Sequence, residues 1–228
     1  MEAQRQAIFE AFSELITESK KQRMEEVLQQ RTRHISVVVE NIHYPQNCSA
    51  VIRTVECMGL QDLYVIDDKH EFTISPHVTR GASKWLDFHR FNRPNENNTR
   101  TCLQTMRDKG YTLIATSPHA TRSLSLDTID LQKPVAIMIG QEKEGLSPLA
   151  LEMADAFVQI PMFGFTESFN LSVSMAIILE HLVNRMRKGE VNWQLSEEEK
   201  EEIRYRWYKK SVRNGSVIER TINSKTQV

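Results

Sequence analysis

The chain has 228 residues, a length that suits one domain with appendages. Hydrophobic residues make up 40% of the chain and charged residues 26%, an ordinary composition for a globular protein. No apolar run approaches the roughly 20 residues that a membrane helix needs. The net charge of −1 provides no general attraction for nucleic acid, although a local basic surface would be compatible with that sum. Without a visible signal peptide, a cytoplasmic protein is expected.

The cysteines and histidines do not form a metal-binding or disulfide pattern. Cys48, Cys57 and Cys102 are odd in number and lack Cys-x-x-Cys spacing. The histidines are scattered, without a His-Glu-x-x-His pair. We therefore expect neither a disulfide framework nor a metal site.

Apolar residues recur at helical spacing between residues 2 and 31, which predicts a helical N-terminal arm. A basic cluster lies within and just after this segment: Lys20, Lys21, Arg23, Arg31 and Arg33. Such a cluster is typical of a solvated helix face, and it also suits an arm that contacts nucleic-acid phosphates. The residues alone leave both interpretations open.

From residue 34 onward, strands alternate with helices. The predicted strands are residues 35–40, 62–66, 111–116, 135–140 and 156–160. The predicted helices are residues 48–58, 97–109, 148–154 and 171–187. The strands at 35 and 135 are nearly continuous apolar runs, as expected for parallel strands buried on both faces. The pattern predicts an α/β fold with a parallel sheet.

Residues 160–174 form a loop that enters an apolar helix. The loop contains three phenylalanines: Phe163, Phe165 and Phe169. Aromatic residues this close together suggest the lining of a site. The alternative is that Ser168 or Asn170 caps the helix and that the phenylalanines belong to the core. The helix is apolar on nearly every face and is expected to be buried.

The C-terminal segment has a different character. Ser196 and Glu199 have the spacing of a capping box. Three aromatic residues then interleave with basic ones: Tyr205, Trp207 and Tyr208. We expect the aromatic side chains to pack, whereas the bases suit either the helix dipole or nucleic-acid contact. From Asn214 the polar sequence predicts a frayed tail.

Open α/β sheets bind ligands beyond the carboxyl ends of their strands. The glycine patterns of dinucleotide sites and P-loops are absent, because Leu146 follows Gly145 where a P-loop has lysine. Instead, three strand-end segments stand out: residues 40–54, 139–147 and 160–174. In this order they resemble the three signature motifs of the SpoU branch of the SPOUT RNA 2′-O-ribose methyltransferases. The resemblance covers roughly residues 33–187 and is strongest to the enzymes that methylate guanosine 18 of tRNA.

The resemblance implies a parallel-sheet SPOUT fold with a C-terminal deep trefoil knot, bound S-adenosylmethionine and a homodimer. It implies a catalytic Arg53 that serves the partner subunit's site, supported by Asn47, Glu142 and Asn170. It also implies cofactor contacts, largely through the backbone, from five residues: Thr116, Gly140, Ile160, Met162 and Phe169. The chain then divides into a helical RNA-binding arm (1–32), a methyltransferase domain (33–188) and a helical C-terminal extension (189–228), with tRNA as partner.

Methyl transfer to a ribose hydroxyl needs positioning and removal of a proton. Arginine is a poor base, so Arg53 is better suited to clamp a phosphate and stabilise developing alkoxide charge. The family resemblance implies instead that it activates the hydroxyl, and the residues leave both roles open. The alternative is a solvated helix residue paired with Glu56.

Two departures from the family pattern bear on the substrate. Gln46 stands where histidine is frequent, and residues 166–168 differ from the usual third motif. Ribosomal RNA or another tRNA position therefore remains an alternative target. A non-catalytic RNA-binding protein of the same fold is a third hypothesis, although such a protein would not need the full set of motif residues.

Overall fold

The computed structural model describes residues 2–117 and 123–225. They form two compact units: residues 32–193, and a second unit that combines the residues up to 31 with those from 194 onward. The segments predicted as a separate N-terminal arm and C-terminal extension thus pack together. In the described part of the chain, no helix is long and apolar enough to cross a membrane.

The described residues contain nine helices and six strands. The helices are α1 (Glu2–Glu14), α2 (Glu18–Leu28), α3 (Pro45–Cys57), α4 (Pro76–Thr79), α5 (Asn98–Asp108), α6 (Pro148–Glu152), α7 (Leu171–Lys188), α8 (Glu197–Ser211) and α9 (Gly215–Lys225). The strands are β1 (Ile35–Glu40), β2 (Asp62–Ile66), β3 (Asp87–Phe91), β4 (Thr112–Thr116), β5 (Val135–Ile139) and β6 (Ala156–Val158). Short 3₁₀ turns lie at Ala82–Lys84 and Leu126–Thr128.

The six strands form one sheet in the order β3-β2-β1-β5-β4-β6, and every pair is parallel. Strand β1 lies in the middle and is buried along its whole length. Val37 and Val39 face the layer that contains α3 and α7, whereas Val38 faces the layer of α5 and α6. Because both faces are covered by helices, the strands are apolar on both sides. The predicted α/β fold with a parallel sheet is confirmed.

Two features of the larger unit differ from expectation. Strand β3 was not predicted, because it is an edge strand whose side chains are mostly half-buried and include His89 and Arg90. Helix α7 is not buried on all sides: Val173 is 43% exposed, while Met175 and Leu179 are fully buried. The exposed apolar face of α7 adjoins the loop that precedes it.

The smaller unit is a bundle of α1, α2, α8 and α9. Helix α1 packs against α8 and α9, and α2 packs against α8. The Phe9 ring stacks on Tyr208 with centroids 4.7 Å apart, and the Arg31 guanidinium lies 5.3 Å from the centroid of the Trp207 ring. The expected packing of the C-terminal aromatic residues is confirmed. The capping box is also present, since Ser196 and Glu199 each accept a hydrogen bond from the other's backbone.

Two predictions for this unit are wrong. A single helix over residues 2–31 is replaced by two helices, with a break between Glu14 and Glu18. The frayed tail is replaced by helix α9, because Glu219 on that helix accepts hydrogen bonds from Tyr205 and Lys209 of α8. The polar composition of α9 therefore reflects pairing with α8.

Candidate active site

The three strand-end segments meet at the carboxyl edge of the sheet. Strands β1 and β5 are neighbours, with Val39 opposite Ile139, so the loops that follow them leave the sheet side by side. The loop after β1 leads into α3, and the loop before α7 reaches the same place because α7 packs against α3. Parallel pairing thus brings distant parts of the sequence together.

A hydrogen-bond chain joins one residue from each segment. The Asn47 side-chain amide donates to Glu142 Oε1 at 2.7 Å, and the Asn170 amide donates to Asn47 Oδ1 at 3.1 Å. The backbone N–H groups of His43 and Tyr44 donate to the same carboxylate at 3.2 and 3.4 Å. Glu142 therefore fixes the loop before α3, and Asn47 connects that loop to the start of α7.

The surroundings of Glu142 keep it ionised. Partial burial raises its pKa, but the hydrogen bonds from Asn47 and from backbone N–H groups outweigh burial, and the net pKa is below its usual value. A carboxylate with a lowered pKa and several donors is a weak proton acceptor. Its chemistry suits positioning better than general base catalysis.

Asn170 performs both roles that its sequence position suggested. Its Oδ1 accepts from the Ser172 N–H at 2.9 Å and from the Ser172 hydroxyl at 2.7 Å, so it caps α7. Its amide simultaneously donates to Asn47. Capping and membership of the site are thus compatible.

Arg53 lies on α3, six residues beyond Asn47, and its side chain is exposed. The Arg53 side chain makes no hydrogen bond or ion pair with any residue in the described ranges, so the alternative pairing with Glu56 is not formed. Arg53 does not join the Asn47–Glu142–Asn170 chain. Its guanidinium is therefore available to a group outside this subunit.

The residues expected to hold a cofactor lie along the same sheet edge. Thr116 ends β4 and donates its hydroxyl to the Met138 carbonyl at 3.0 Å. Gly140 follows β5 and is buried; a Cβ on it would lie 2.1 Å from the carbonyl carbon of Gly145. Three further residues belong to the loop before α7, where the first two are half-buried and the last is 44% exposed: Ile160, Met162 and Phe169.

Comparison with known proteins assigns the fold to a family. The sequence matches the SpoU rRNA Methylase family over residues 34–180. The chain belongs to this family. It is 39% identical to the tRNA (guanosine(18)-2'-O)-methyltransferase of Borreliella burgdorferi over 212 residues, covering 93% of this chain and 94% of that protein. It is 32% identical to the protein of the same name in Thermus thermophilus, covering 76% and 87% of the two chains.

A solved structure supports the assignment. The A. aeolicus TrmH/SpoU tRNA modifying enzyme superposes with a TM-score of 0.75 at 30% identity, covering 86% of this chain and 98% of that one. An AdoMet-bound rRNA methyltransferase from Sinorhizobium meliloti shares the fold, with a TM-score of 0.57 at 24% identity over 71% of this chain and 59% of that one. The parallel sheet described above is thus the SpoU fold.

The third motif loop of this SpoU methylase differs from one expectation. Phe163 and Phe165, which were considered for core packing, are 97% and 109% exposed. These rings lie on the loop of residues 161–169, which follows the short strand β6 and contains neither helix nor strand, and the core does not cover them. Their exposure instead favours a role in contact with another molecule.

One residue of the first motif segment, Glu40, was given no role from the sequence and supports the site in the structure. Glu40 ends β1 and is only 2% exposed, and its carboxylate accepts from Ser147 N–H at 2.7 Å, from Ser147 Oγ at 2.8 Å and from Thr99 Oγ1 at 2.7 Å. It therefore holds the end of the loop that carries Glu142. The available signal was an acidic residue at the end of an otherwise buried strand.

The five basic residues considered for RNA contact have different environments. Lys20 and Arg23 are exposed on α2, and Arg23 pairs with Glu26. Lys21 pairs with Glu18 at 2.7 Å. Arg31 is 1% exposed, and Arg33 bridges two carboxylates, Asp62 at 2.9 Å and Asp87 at 3.1 Å. Burial and pairing give Arg31 and Arg33 structural roles, so the exposed members of the set both lie on α2.

Proposed function

We propose that this chain transfers a methyl group from S-adenosylmethionine to the ribose 2′-hydroxyl of guanosine 18 in tRNA. The observation that carries the proposal is the Asn47–Glu142–Asn170 hydrogen-bond chain, which joins the three motif loops at the carboxyl edge of the sheet. The choice of tRNA rests on the relatives named tRNA (guanosine(18)-2'-O)-methyltransferase, which this chain matches along most of its length. A cytoplasmic location is proposed together with the tRNA substrate.

The strand-end loops fit S-adenosylmethionine, which supplies an electrophilic methyl group when bound. Within the ranges that the structure describes, the backbone of residues 161–169 has no hydrogen-bond partners, so its N–H and C=O groups can serve a ligand. Gly140 has no side chain to obstruct the neighbouring loop. Thr116, Ile160, Met162 and Phe169 complete the proposed binding surface.

Arg53 is the proposed catalytic residue. The ribose hydroxyl must lose its proton as the new bond forms, and the developing alkoxide is next to a phosphodiester. A guanidinium presents a fork of N–H donors that can bind a phosphate and stabilise that charge. Asn47, Glu142 and Asn170 then have supporting roles that fix the loops around the reacting groups.

The active form is proposed to be a homodimer in which Arg53 serves the partner subunit. Arg53 lies outside the hydrogen-bond chain of its own subunit. Phe163, Phe165 and Val173 form exposed apolar surface on the third motif loop and on α7. Burying these side chains against a second copy would remove them from water and bring a foreign Arg53 to the site.

A trefoil knot is proposed for the C-terminal part of the larger unit. Strand β4 lies between β5 and β6, so the chain crosses back over its own path after leaving β5. The Arg185 guanidinium on α7 donates to the carbonyls of Leu126 and Ile129, at 2.5 and 2.9 Å. These bonds hold α7 against the segment between β4 and β5. Such contact is expected if the chain that leads into α7 passes through the loop formed by that segment.

The smaller unit combines helices from the N-terminal and C-terminal segments of the chain. We propose that it contacts tRNA phosphates through α2. The exposed cations of α2 are Lys20 and Arg23, and Lys21 is half-buried beside Glu18. The division into residues 1–32, 33–188 and 189–228 then has a functional meaning: RNA contact by the first part and catalysis by the second.

Binding to tRNA should weaken as salt rises, because phosphate contacts release counterions. In Lys20→Ala, the slope of log K against log salt should be shallower than in the wild type by about one unit. The measurement is fluorescence anisotropy of labelled tRNA over a series of salt concentrations. Arg100→Ala is the matched control, since Arg100 is an exposed cation on α5 that belongs to no proposed RNA contact. Equal slopes for the two variants would remove Lys20 from the RNA contact.

The reaction itself is tested with S-adenosylmethionine labelled in its methyl group. The purified protein is incubated with total tRNA or with ribosomal RNA, and the modified ribose is mapped. We expect label in tRNA at guanosine 18. Label confined to ribosomal RNA, or to another tRNA position, would overturn the substrate assignment, and RNA binding without transfer would identify a non-catalytic protein.

A further inference from the structure

Three aromatic rings lie together on the surface beside the Asn47–Glu142–Asn170 chain. The His43 ring is central: its centroid is 4.9 Å from Tyr44 and 4.5 Å from His70, both in edge-to-face geometry. His43 and Tyr44 are exposed, Tyr44 by 46%, and His70 is half-buried. None of the three belongs to either hydrophobic core cluster of the sheet.

The ring cluster is built into the framework that orders the site. The backbone N–H groups of His43 and Tyr44 both donate to Glu142. Asn41, in a left-handed conformation with φ 54°, accepts from the Lys69 N–H at 2.8 Å and so fixes the residue before His70. The Lys69 ammonium also pairs with Glu144 at 3.2 Å. The loops after β1, β2 and β5 are therefore fastened to one another around these rings.

The side chain of Tyr44 has no evident role in folding. Tyr44 occupies the N-cap position of α3, yet its side chain makes no capping bond. Nearly half of Tyr44 is in contact with water, which leaves part of its aromatic surface open to a ligand. A polar or small residue would suit this position if only the helix start mattered.

We propose that His43, Tyr44 and His70 form a platform in which the exposed Tyr44 ring stacks on a nucleobase of the substrate RNA, at or next to the target nucleotide. His43, in edge-to-face contact with both other rings, holds the cluster together. The inference rests on the proposed function and specifies how that site recognises its substrate. Aromatic side chains stack on unpaired bases of single-stranded RNA loops, and stacking accepts any base because every base has a π face. The platform holds the base while the ribose of the same strand reaches the hydrogen-bonded site.

The first test is equilibrium binding of a labelled tRNA transcript to the full chain. Tyr44→Ala should bind roughly 5- to 150-fold more weakly, the range found when one base–aromatic stack is removed. Tyr44→Phe keeps the ring and should retain the wild-type affinity. His70→Ala should weaken binding in the same direction. Wild-type affinity in Tyr44→Ala would overturn the inference.

The second test asks whether a base is the partner of the ring. Transcripts that lack one base, at the target or at either neighbouring nucleotide, are bound to wild type and to Tyr44→Ala. For the nucleotide whose base stacks, the two proteins should bind the abasic transcript equally, because the interaction is already lost. If Tyr44→Ala weakens the binding of every abasic transcript by the same factor as the binding of the intact one, no base stacks on the ring and the inference is wrong.

Two further readouts separate stacking from a structural effect. Tyr44→Ala should keep wild-type affinity for S-adenosylmethionine, since the bond of this residue to Glu142 comes from the backbone N–H, and its Tm should fall only slightly, since nearly half of the residue is exposed. A parallel loss of cofactor affinity would show that the ring orders the site, which contradicts the platform. A wild type that methylates RNA while Tyr44→Ala binds it normally would defeat this inference alone. A wild type that neither binds nor methylates any RNA would defeat the proposed function with it.

Discussion

Arg53→Ala should lose methyl transfer while it binds S-adenosylmethionine as tightly as the wild type. Removing one group that stabilises transition-state charge lowers kcat by about 10²- to 10³-fold. Arg53 is exposed and has no partner among the described residues of its own subunit, so its removal should change the free energy of unfolding by less than about 0.5 kcal/mol. The measurements are single-turnover methylation of tRNA, calorimetric cofactor binding and Tm.

Two variants control this experiment. Arg53→Lys keeps the charge but loses the planar fork of donors, so it should recover only a small part of the rate. Arg100→Ala removes an exposed arginine from α5, on the other side of the sheet, and should react at the wild-type rate. A fully active Arg53→Ala would remove this residue from catalysis.

Mixed dimers decide whether Arg53 acts in its own subunit or in its partner's. The second variant is Asn170→Ser, which can still cap α7 through a hydroxyl but loses the amide that donates to Asn47. If Arg53 crosses the interface, random mixing of the two variants should restore roughly a quarter of wild-type activity, because each mixed dimer contains one intact site. No restoration would place Arg53 in the site of its own subunit.

The sheet could be predicted from sequence because its strands are buried on both faces. Strands β1 and β2 have the predicted bounds, and β5 ends one residue earlier than expected. The helices that begin at the carboxyl edge of the sheet were also recognisable, since the motif residues lie at or near their first turns. Asn47 and Asn170 could thus be assigned to one site, although only the structure shows the hydrogen bond between them.

Features that depend on distant partners were not predictable. Glu40 is explained by Thr99 and Ser147, which are 59 and 107 residues away in the sequence. Helix α9 depends on contacts with α8, which a local count of polar residues does not reveal. The exposure of Phe163 also depends on a distant partner. A phenylalanine is expected to be buried, and the surface that would bury this one belongs to a proposed second copy.

Gly140→Ala should destabilise the protein and impair cofactor binding together. A Cβ at this position would lie 2.1 Å from the carbonyl carbon and oxygen of Gly145 and 2.2 Å from the backbone nitrogen of Leu146. These are backbone atoms, held by the paired hydrogen bonds of 2.9 Å between Gln141 and Gly145, so no flexible side chain can move aside. Overpacking of this kind costs about 1–3 kcal/mol, which lowers Tm by about 2–12 °C in a chain of this size.

The same displacement should reach the site, because Glu142 belongs to the loop that must move. We expect S-adenosylmethionine affinity to fall by more than about tenfold, the equivalent of about 1.4 kcal/mol. Gly164→Ala is the matched control for stability: nothing lies within 4 Å of its added Cβ, and its Tm should equal that of the wild type. A Gly140→Ala protein with a lowered Tm but unchanged cofactor affinity would confine Gly140 to a structural role. Unchanged values of both would mean that the loop after β5 can shift freely, which its hydrogen bonds to Glu40 and to itself argue against.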